Sequence, residues 1–418
     1  MARTQSAHND RNKLLMKAVS QFSSLKRIFV LIVGIFVFGI VLLALSYFIK
    51  LPVFSNTDFL VLYFSNHSML NGIHLYDYPA QVEYIHSLTQ KDLAFLPYPY
   101  PPWYALSTFF LALLPIDMAS RVWFMLNLTM ISISVWFLTF NWKLKQRIYA
   151  ILLASLFLPV LGLLMVGQYS VPVLLGVSIL YWALKTESAF GTAIAMGLLT
   201  FKPHLGIFIA IATFIWLLYH HKTRFVKHAI VLTIIVAIFL LLVGFVADPV
   251  WPLNYIKSLG DYREISGVIS CELCASLPVM IIEMVTDQGN VFQGALISVF
   301  LAVGLAGLLI WHFRYRLREI TLLIVLSTAF TLLISPYLLS YDFVLLLVLF
   351  IVVYDLEHST FSRLVLIAAY ILPWMILVIG RKGNYLMLVS TLSLLILIWI
   401  SQSPRPIAEL GEDCKSNS

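Results

Sequence analysis

Six short stretches hold polar side chains within an otherwise apolar chain: Asn56–Phe59 (N-T-D-F), Gly72–Asp77 (G-I-H-L-Y-D), Pro97–Trp103 (P-Y-P-Y-P-P-W), Gly167–Ser170 (G-Q-Y-S), Phe201–His204 (F-K-P-H) and Ser335–Asp342 (S-P-Y-L-L-S-Y-D). Their residue types set what they can do. The carboxylates of Asp58 and Asp342 can exchange a proton or meet a cation. Lys202 offers a compact positive charge to an anion. Gln168, His204, Tyr100 and Tyr341 supply hydrogen bonds. Ionisable groups within apolar segments are costly and mark function by default. The prolines and glycines beside them end helices and free backbone groups that need partners in a cavity.

Each residue also has a plainer reading. Asp58 and Asp342 can cap the helices that follow them. Lys202, at the end of an apolar run, can snorkel to the membrane surface. Gln168 can satisfy a helix end, and His204 can be structural. The proline-tyrosine run can belong to an interfacial aromatic belt.

The elements that must position these residues follow from composition. Of 418 residues, 61% are hydrophobic and 11% charged, against roughly 25% charged in soluble domains. Long apolar runs recur from Ile28 to Ile400 and do not alternate with period two. The expected fold is therefore all-α, a polytopic transmembrane helical bundle and not a barrel. About 11–13 membrane helices are expected, at about 20 apolar residues per span. The first run, Ile28–Ile49, is longer than the apolar region of a cleavable leader and reads as a retained signal anchor.

Arg3, Arg11, Lys13, Lys17, Lys26 and Arg27 face a single acid, Asp10, in the segment before that run. Basic loops stay in the cytoplasm, so residues 1–27 are expected there, as is the polar tail 401–418. A single membrane domain spans 28–400, with two large extracytoplasmic loops at about 50–102 and 247–290. The first loop is expected to hold interfacial helices. A short, broken or re-entrant element is expected somewhere between Trp103 and Gln168, because Trp103–Pro115 is short for a full span. This topology puts all six polar stretches on the outer face. The net charge of +7 belongs to cytoplasmic loops, and no nucleic-acid partner is expected. Cys271 and Cys274 form one isolated C-x-x-C, short of the usual four zinc ligands. They read as ordinary thiols or a local disulfide.

In order and type the motifs resemble the integral-membrane GT-C glycosyltransferases, specifically glycosyltransferase family 87. The likeness covers about Ile28 to Val353. Its pieces are Asp58 soon after the first helix; Gly72, Leu75, Tyr76 and Asp77; Tyr100-Pro101-Pro102; Gly167-Gln168; Lys202-Pro203; and Ser335-Pro336. Some family members carry a histidine soon after that last element. Here Tyr341 and Asp342 stand in the same stretch, and either can take its place.

The resemblance implies a GT-C-like fold and a hexosyltransferase. The donor would be a polyprenyl-phosphate sugar, typically mannose, and the acceptor a lipid or glycan at the outer face of a bacterial inner membrane. Asp58 would take the acceptor proton as general base, and Lys202 would offer charge to the leaving phosphate. Gln168, Tyr100 and His204 would bond phosphate or sugar, with Tyr341 and Asp342 beside them. Membrane lipids would surround the chain. A monophosphate donor has no pyrophosphate for a metal to bridge, so no metal and no cofactor are expected. A transporter or flippase of lipid-linked glycans would share the polytopic character, but internal repeats are lacking. A glycan polymerase or ligase would call on outer-loop arginines, and the second loop offers Arg263 alone.

Overall fold

The computed structural model describes residues 58–90, 95–220, 223–265, 275–286, 291–313, 319–335, 337–356 and 359–402. They fall within one compact unit, Phe54–Ser418. The basic tail, the Ile28–Ile49 run, Cys271, Cys274, Pro336 and the tail beyond residue 402 lie outside the described residues.

The described chain is helical, with no extended strand among those residues. In order the helices are α1 (Asp58–Leu70), α2 (Tyr78–Thr89), α3 (Pro102–Thr108), α4 (Ile116–Leu138), α5 (Leu144–Ser155), α6 (Leu158–Val166), α7 (Val171–Lys185), α8 (Ala189–Leu199) and α9 (Pro203–Tyr219). There follow α10 (Arg224–Ala247), α11 (Trp251–Ile265), α12 (Leu277–Thr286), α13 (Val291–Phe313), α14 (Ile320–Ile334), α15 (Leu346–Leu356), α16 (Thr360–Ile371) and, after short turns, α17 (Leu386–Gln402).

Two kinds of helix are distinguished by what covers their apolar side chains. The 24-residue α10 rises about 36 Å at 1.5 Å per residue, enough for a hydrocarbon core of about 30 Å. It leaves Ile234, Ile238, Leu241 and Phe245 exposed. A continuous apolar side of this kind requires lipid as its solvent. By contrast, α14 and α15 are short and sit in the centre of the bundle. From Leu322 to Ile334 nearly every α14 side chain is buried, as are most of α15.

Among the described residues, four segments are long and apolar enough to cross a membrane: Ile116–Leu138, Arg224–Ala247, Thr360–Ile379 and Gly383–Ile400. Six further apolar helices span 10–17 residues. The runs read from sequence as spans are thus often shorter helices, because breaks at Gly167–Ser170, Thr200–Lys202 and Ser335–Leu345 cut them. The broken element expected between Trp103 and Gln168 has a counterpart in α5 and α6, which meet at a bend of 61°.

The first expected loop departs from an interfacial helix. Helix α1 buries nine of its residues, including Phe59, Leu62 and Phe64. It joins a second, aromatic core with Tyr98, Tyr104, Trp123 and Tyr169. Helix α2 is more exposed and is capped by the Asp77 carboxylate, which accepts from the Ala80 amide at 3.3 Å. The Asp77 of the sequence motif therefore has a local structural task.

Candidate active site

Four helix starts, with the breaks before α7, α9 and α15, build the polar cluster. Asp58 opens α1. Ser170 stands at the N-cap of α7, and Lys202 at the N-cap of α9. Asp342 lies in the 3-10 turn Ser340–Leu345 that leads into α15. Helix N-termini carry partial positive charge and unpaired amides, so elements assembled this way favour anions.

Close backbone approach makes two of these breaks. Gly167 ends α6 with φ +67, and an added Cβ would stand 2.7 Å from the Phe59 Cβ. The Trp123 indole N–H donates to the Gly167 carbonyl at 2.8 Å. This pinch delivers Gln168 to the first turn of α1. At the second break, a Cβ on Gly206 would stand 1.9 Å from the Leu199 carbonyl oxygen. Only glycine lets α9 begin so close to the end of α8, and that places Lys202. Gly167→Ala combines left-handed strain of about 1–2 kcal/mol with overpacking of about 1–3 kcal/mol. It is expected to destabilise the protein by about 2–5 kcal/mol, read as a lower thermal midpoint in detergent. An unchanged midpoint would show that the pinch is not required.

The Asp58 carboxylate accepts hydrogen bonds from the Gln168 amide at 2.7 Å and from the Tyr341 hydroxyl at 3.3 Å. Its own backbone carbonyl accepts from the Tyr169 hydroxyl, and that hydroxyl also receives the Leu62 amide at 3.0 Å. Tyr169 therefore staples the first turn of α1 and fixes where Asp58 stands. Burial pushes the Asp58 carboxyl above its ordinary value of 3.8, and the opposing pull of Lys202 does not cancel it.

Lys202 and Asp342 form a buried ion pair, Nζ to Oδ1 at 2.5 Å. Ser170 completes a triangle: it receives Lys202 Nζ at 3.0 Å and donates to Asp342 Oδ1 at 2.5 Å. The second oxygen of Asp342 accepts the Leu339 amide at 3.1 Å. Burial alone would raise Asp342, but the Lys202 ammonium beside it holds the carboxyl below its ordinary value. The Lys202 side chain is 1% exposed, so it is paired in the interior and does not snorkel to the surface.

Tyr341 joins the two halves. Its hydroxyl reaches Asp58, and its ring lies 5.4 Å from Lys202 Nζ, within cation–π range. The two candidates for the histidine's place thus stand in different positions, Tyr341 against the Asp58 carboxylate and Asp342 against Lys202. His204 packs its ring edge-on to Tyr337 at 5.7 Å. Its Nε2 is buried without a hydrogen-bond partner among the described residues. Tyr337 in turn meets Tyr262, hydroxyl to hydroxyl, at 3.5 Å. Tyr100 stands one ring behind, with its centroid 4.7 Å from that of Tyr169. Its backbone carbonyl accepts the Tyr76 hydroxyl at 2.8 Å.

Six of the residues singled out in the sequence therefore gather in one cluster, and Tyr100 supports it through Tyr169. Sequence reasoning passed over Tyr169, Ser170, Tyr337 and Tyr262. The first two follow Gln168 in the same helix break, and Tyr337 lies in the same stretch as Tyr341, so proximity to a break was the available signal. No sequence signal marked Tyr262. The described residues hold no group of three His, Cys, Asp or Glu that could bind a metal ion.

A carboxylate with a raised pKa can accept a proton. A buried cation at converging helix starts can stabilise developing negative charge. Together with the apolar helices, these groups define a multi-pass helical membrane protein with a polar cluster built at helix breaks. The model of glycosyltransferase family 87 matches residues 98–336, more than half of the 418-residue chain, and the chain belongs to that family. Tyr100, Gln168, Lys202 and His204 lie inside the match; Asp58, Tyr341 and Asp342 flank it. No curated protein and no solved structure matches the chain.

Proposed function

We propose that this glycosyltransferase moves a hexose, typically mannose, from a polyprenyl-phosphate donor to a lipid or glycan acceptor. The observation that carries the reading is Tyr341, which touches Asp58 on one side and Lys202 on the other. A proton acceptor and a phosphate-stabilising cation belong on opposite sides of the anomeric carbon in such a transfer. In this scheme Asp58 removes the acceptor hydroxyl proton while that oxygen attacks the anomeric carbon. The bond to the phosphate oxygen breaks, and Lys202 offsets the charge left on the polyprenyl phosphate. Gln168 and Tyr341 orient the Asp58 carboxylate. Asp342 and Ser170 hold the Lys202 ammonium, and the Nε2 of His204, without a partner among the described residues, offers a further bond to phosphate or sugar.

The surrounding apolar helices give the polyprenyl tail a way in from the bilayer. With the N-terminus in the cytoplasm, the cluster faces the outer side of a bacterial inner membrane. Nucleotide sugars are not normally supplied there, and the described helical chain has no strand-based nucleotide fold. Purified protein in nanodiscs is expected to consume a polyprenyl-phosphate hexose when given a suitable acceptor, and to leave nucleotide sugars untouched. Direct turnover of a nucleotide sugar would reject the donor assignment. Movement of a lipid-linked glycan across sealed vesicles without any glycosyl transfer would favour a flippase.

A further inference from the structure

The far end of α15 from Asp342 carries a second polar site. There a surface cavity of about 380 Å³ opens between the α4–α5 turn, the end of α15 and the start of α16. That volume lies at the lower end of ligand sites, roughly 300–1,000 Å³. Lys143 and Arg363 reach it from separate segments, alongside the amides of Asn141 and Gln146.

The cavity is braced on one side. The Trp142 indole donates to Asp355 Oδ1 at 3.1 Å, and the Trp142 and Tyr354 rings meet at 5.2 Å. Arg147 holds the turn itself, its guanidinium donating to the carbonyls of Trp142, at 3.0 Å, and Phe140. Neither Lys143 nor Arg363 forms an ion pair with Asp355 or another acid among the described residues. Two cations without an ion pair among the described residues thus share a preformed cavity with two amides and a carboxylate already engaged by an indole.

The helices that carry or follow these cations also expose apolar side chains: Leu144 and Ile148 on α5, which begins after Lys143, and Phe361 and Leu364 on α16, which carries Arg363. Cations flanked by Trp, Tyr and exposed aliphatic side chains match the headgroup level of a bilayer. A free anion has no use for these neighbouring apolar side chains; a lipid has.

We propose that this cavity binds the phosphate of a membrane phospholipid, with Lys143 and Arg363 on its oxygens and the acyl chains along Leu144, Ile148, Phe361 and Leu364. On the topology above it faces the cytoplasmic leaflet, at the opposite end of α15 from the transfer site. The site does not depend on the transfer reaction.

Native mass spectrometry of the purified chain, titrated with phosphatidylglycerol, tests the proposal. The double variant Lys143→Gln/Arg363→Gln is expected to bind the first lipid about thirty-fold more weakly. That factor corresponds to about 1 kcal/mol per cation at 1.4 kcal/mol per decade. Lys143→Arg/Arg363→Lys keeps both charges and is expected to bind within a few-fold of wild type. Millimolar inorganic phosphate is expected not to displace the lipid from wild type, a measurement that needs no variant. Equal lipid affinity in the Gln variant would overturn the proposal. So would loss of binding in the charge-keeping variant, or displacement of the lipid by inorganic phosphate, which would make the site one for a free anion.

Discussion

Asp58→Asn is expected to lower glycosyl transfer by about 10²–10⁴-fold, the usual cost of losing a general base, while the protein still folds. Asn keeps the side-chain size and can accept the same bonds from Gln168 and Tyr341. It also keeps most of the capping ability of Asp, so the thermal midpoint should move little. The pH profile gives a second reading. Burial raises the Asp58 carboxyl above 3.8, and a base works only when ionised. Activity of the wild type should therefore fall on acidification at a higher pH than an ordinary carboxylate would dictate. The residual activity of the Asn variant should lack that acid limb. Near-normal turnover in the variant would reduce Asp58 to a cap.

Lys202→Met is expected to act on stability and on turnover together. It leaves the buried Asp342 without the ammonium that lies 2.5 Å away. Breaking a buried pair from one side typically costs about 3–5 kcal/mol. Without Lys202, the largest influence left on Asp342 is burial, which raises the carboxyl, opposed by the smaller pull of His204 and the Ser170 hydrogen bond. The loss should therefore be greatest at neutral pH and ease under acid, where the carboxyl takes up a proton. Wild type has the opposite sign: Asp342 is held low, and its contribution is lost as pH falls through that low value. Lys202→Met/Asp342→Asn removes the stranded charge and is expected to regain much of the stability. Donor turnover should stay lost, because no cation faces the leaving phosphate. Recovery of turnover in the double variant would assign Lys202 a structural task alone.

The pairing explains why part of the site was legible in the sequence and part was not. Lys202 and Asp58 stand out because a charge at the edge of an apolar run is rare and costly. Helix-breaking Gly167, Pro203 and Ser335 mark where backbone irregularity must line a polar space. Their partnerships are another matter. Asp342 lies 140 positions from Lys202 in sequence, and Asp58 lies 110 from Gln168. Which helix break meets which is decided by bundle packing, to which no local pattern points. Tyr169 shows the same limit. Nothing in the sequence singles out the aromatic beside Gln168, whose hydroxyl lies on the Asp58 carbonyl. Helix length was less legible for a related reason: apolar composition reveals a helix, but breaks at the site shorten α14 and α15 to 15 and 11 residues.

The central claim is that Asp58 and the Lys202–Asp342 pair flank one sugar-phosphate site. A structure of the protein holding a non-transferable polyprenyl-phosphate hexose tests it most directly. The phosphate should lie within hydrogen-bond distance of Lys202, with His204 Nε2 nearby. The face of the anomeric carbon away from the phosphate should look toward Asp58, leaving room for an acceptor hydroxyl between them. A donor phosphate bound away from Lys202, or a sugar whose anomeric carbon has no open path to Asp58, would contradict the account.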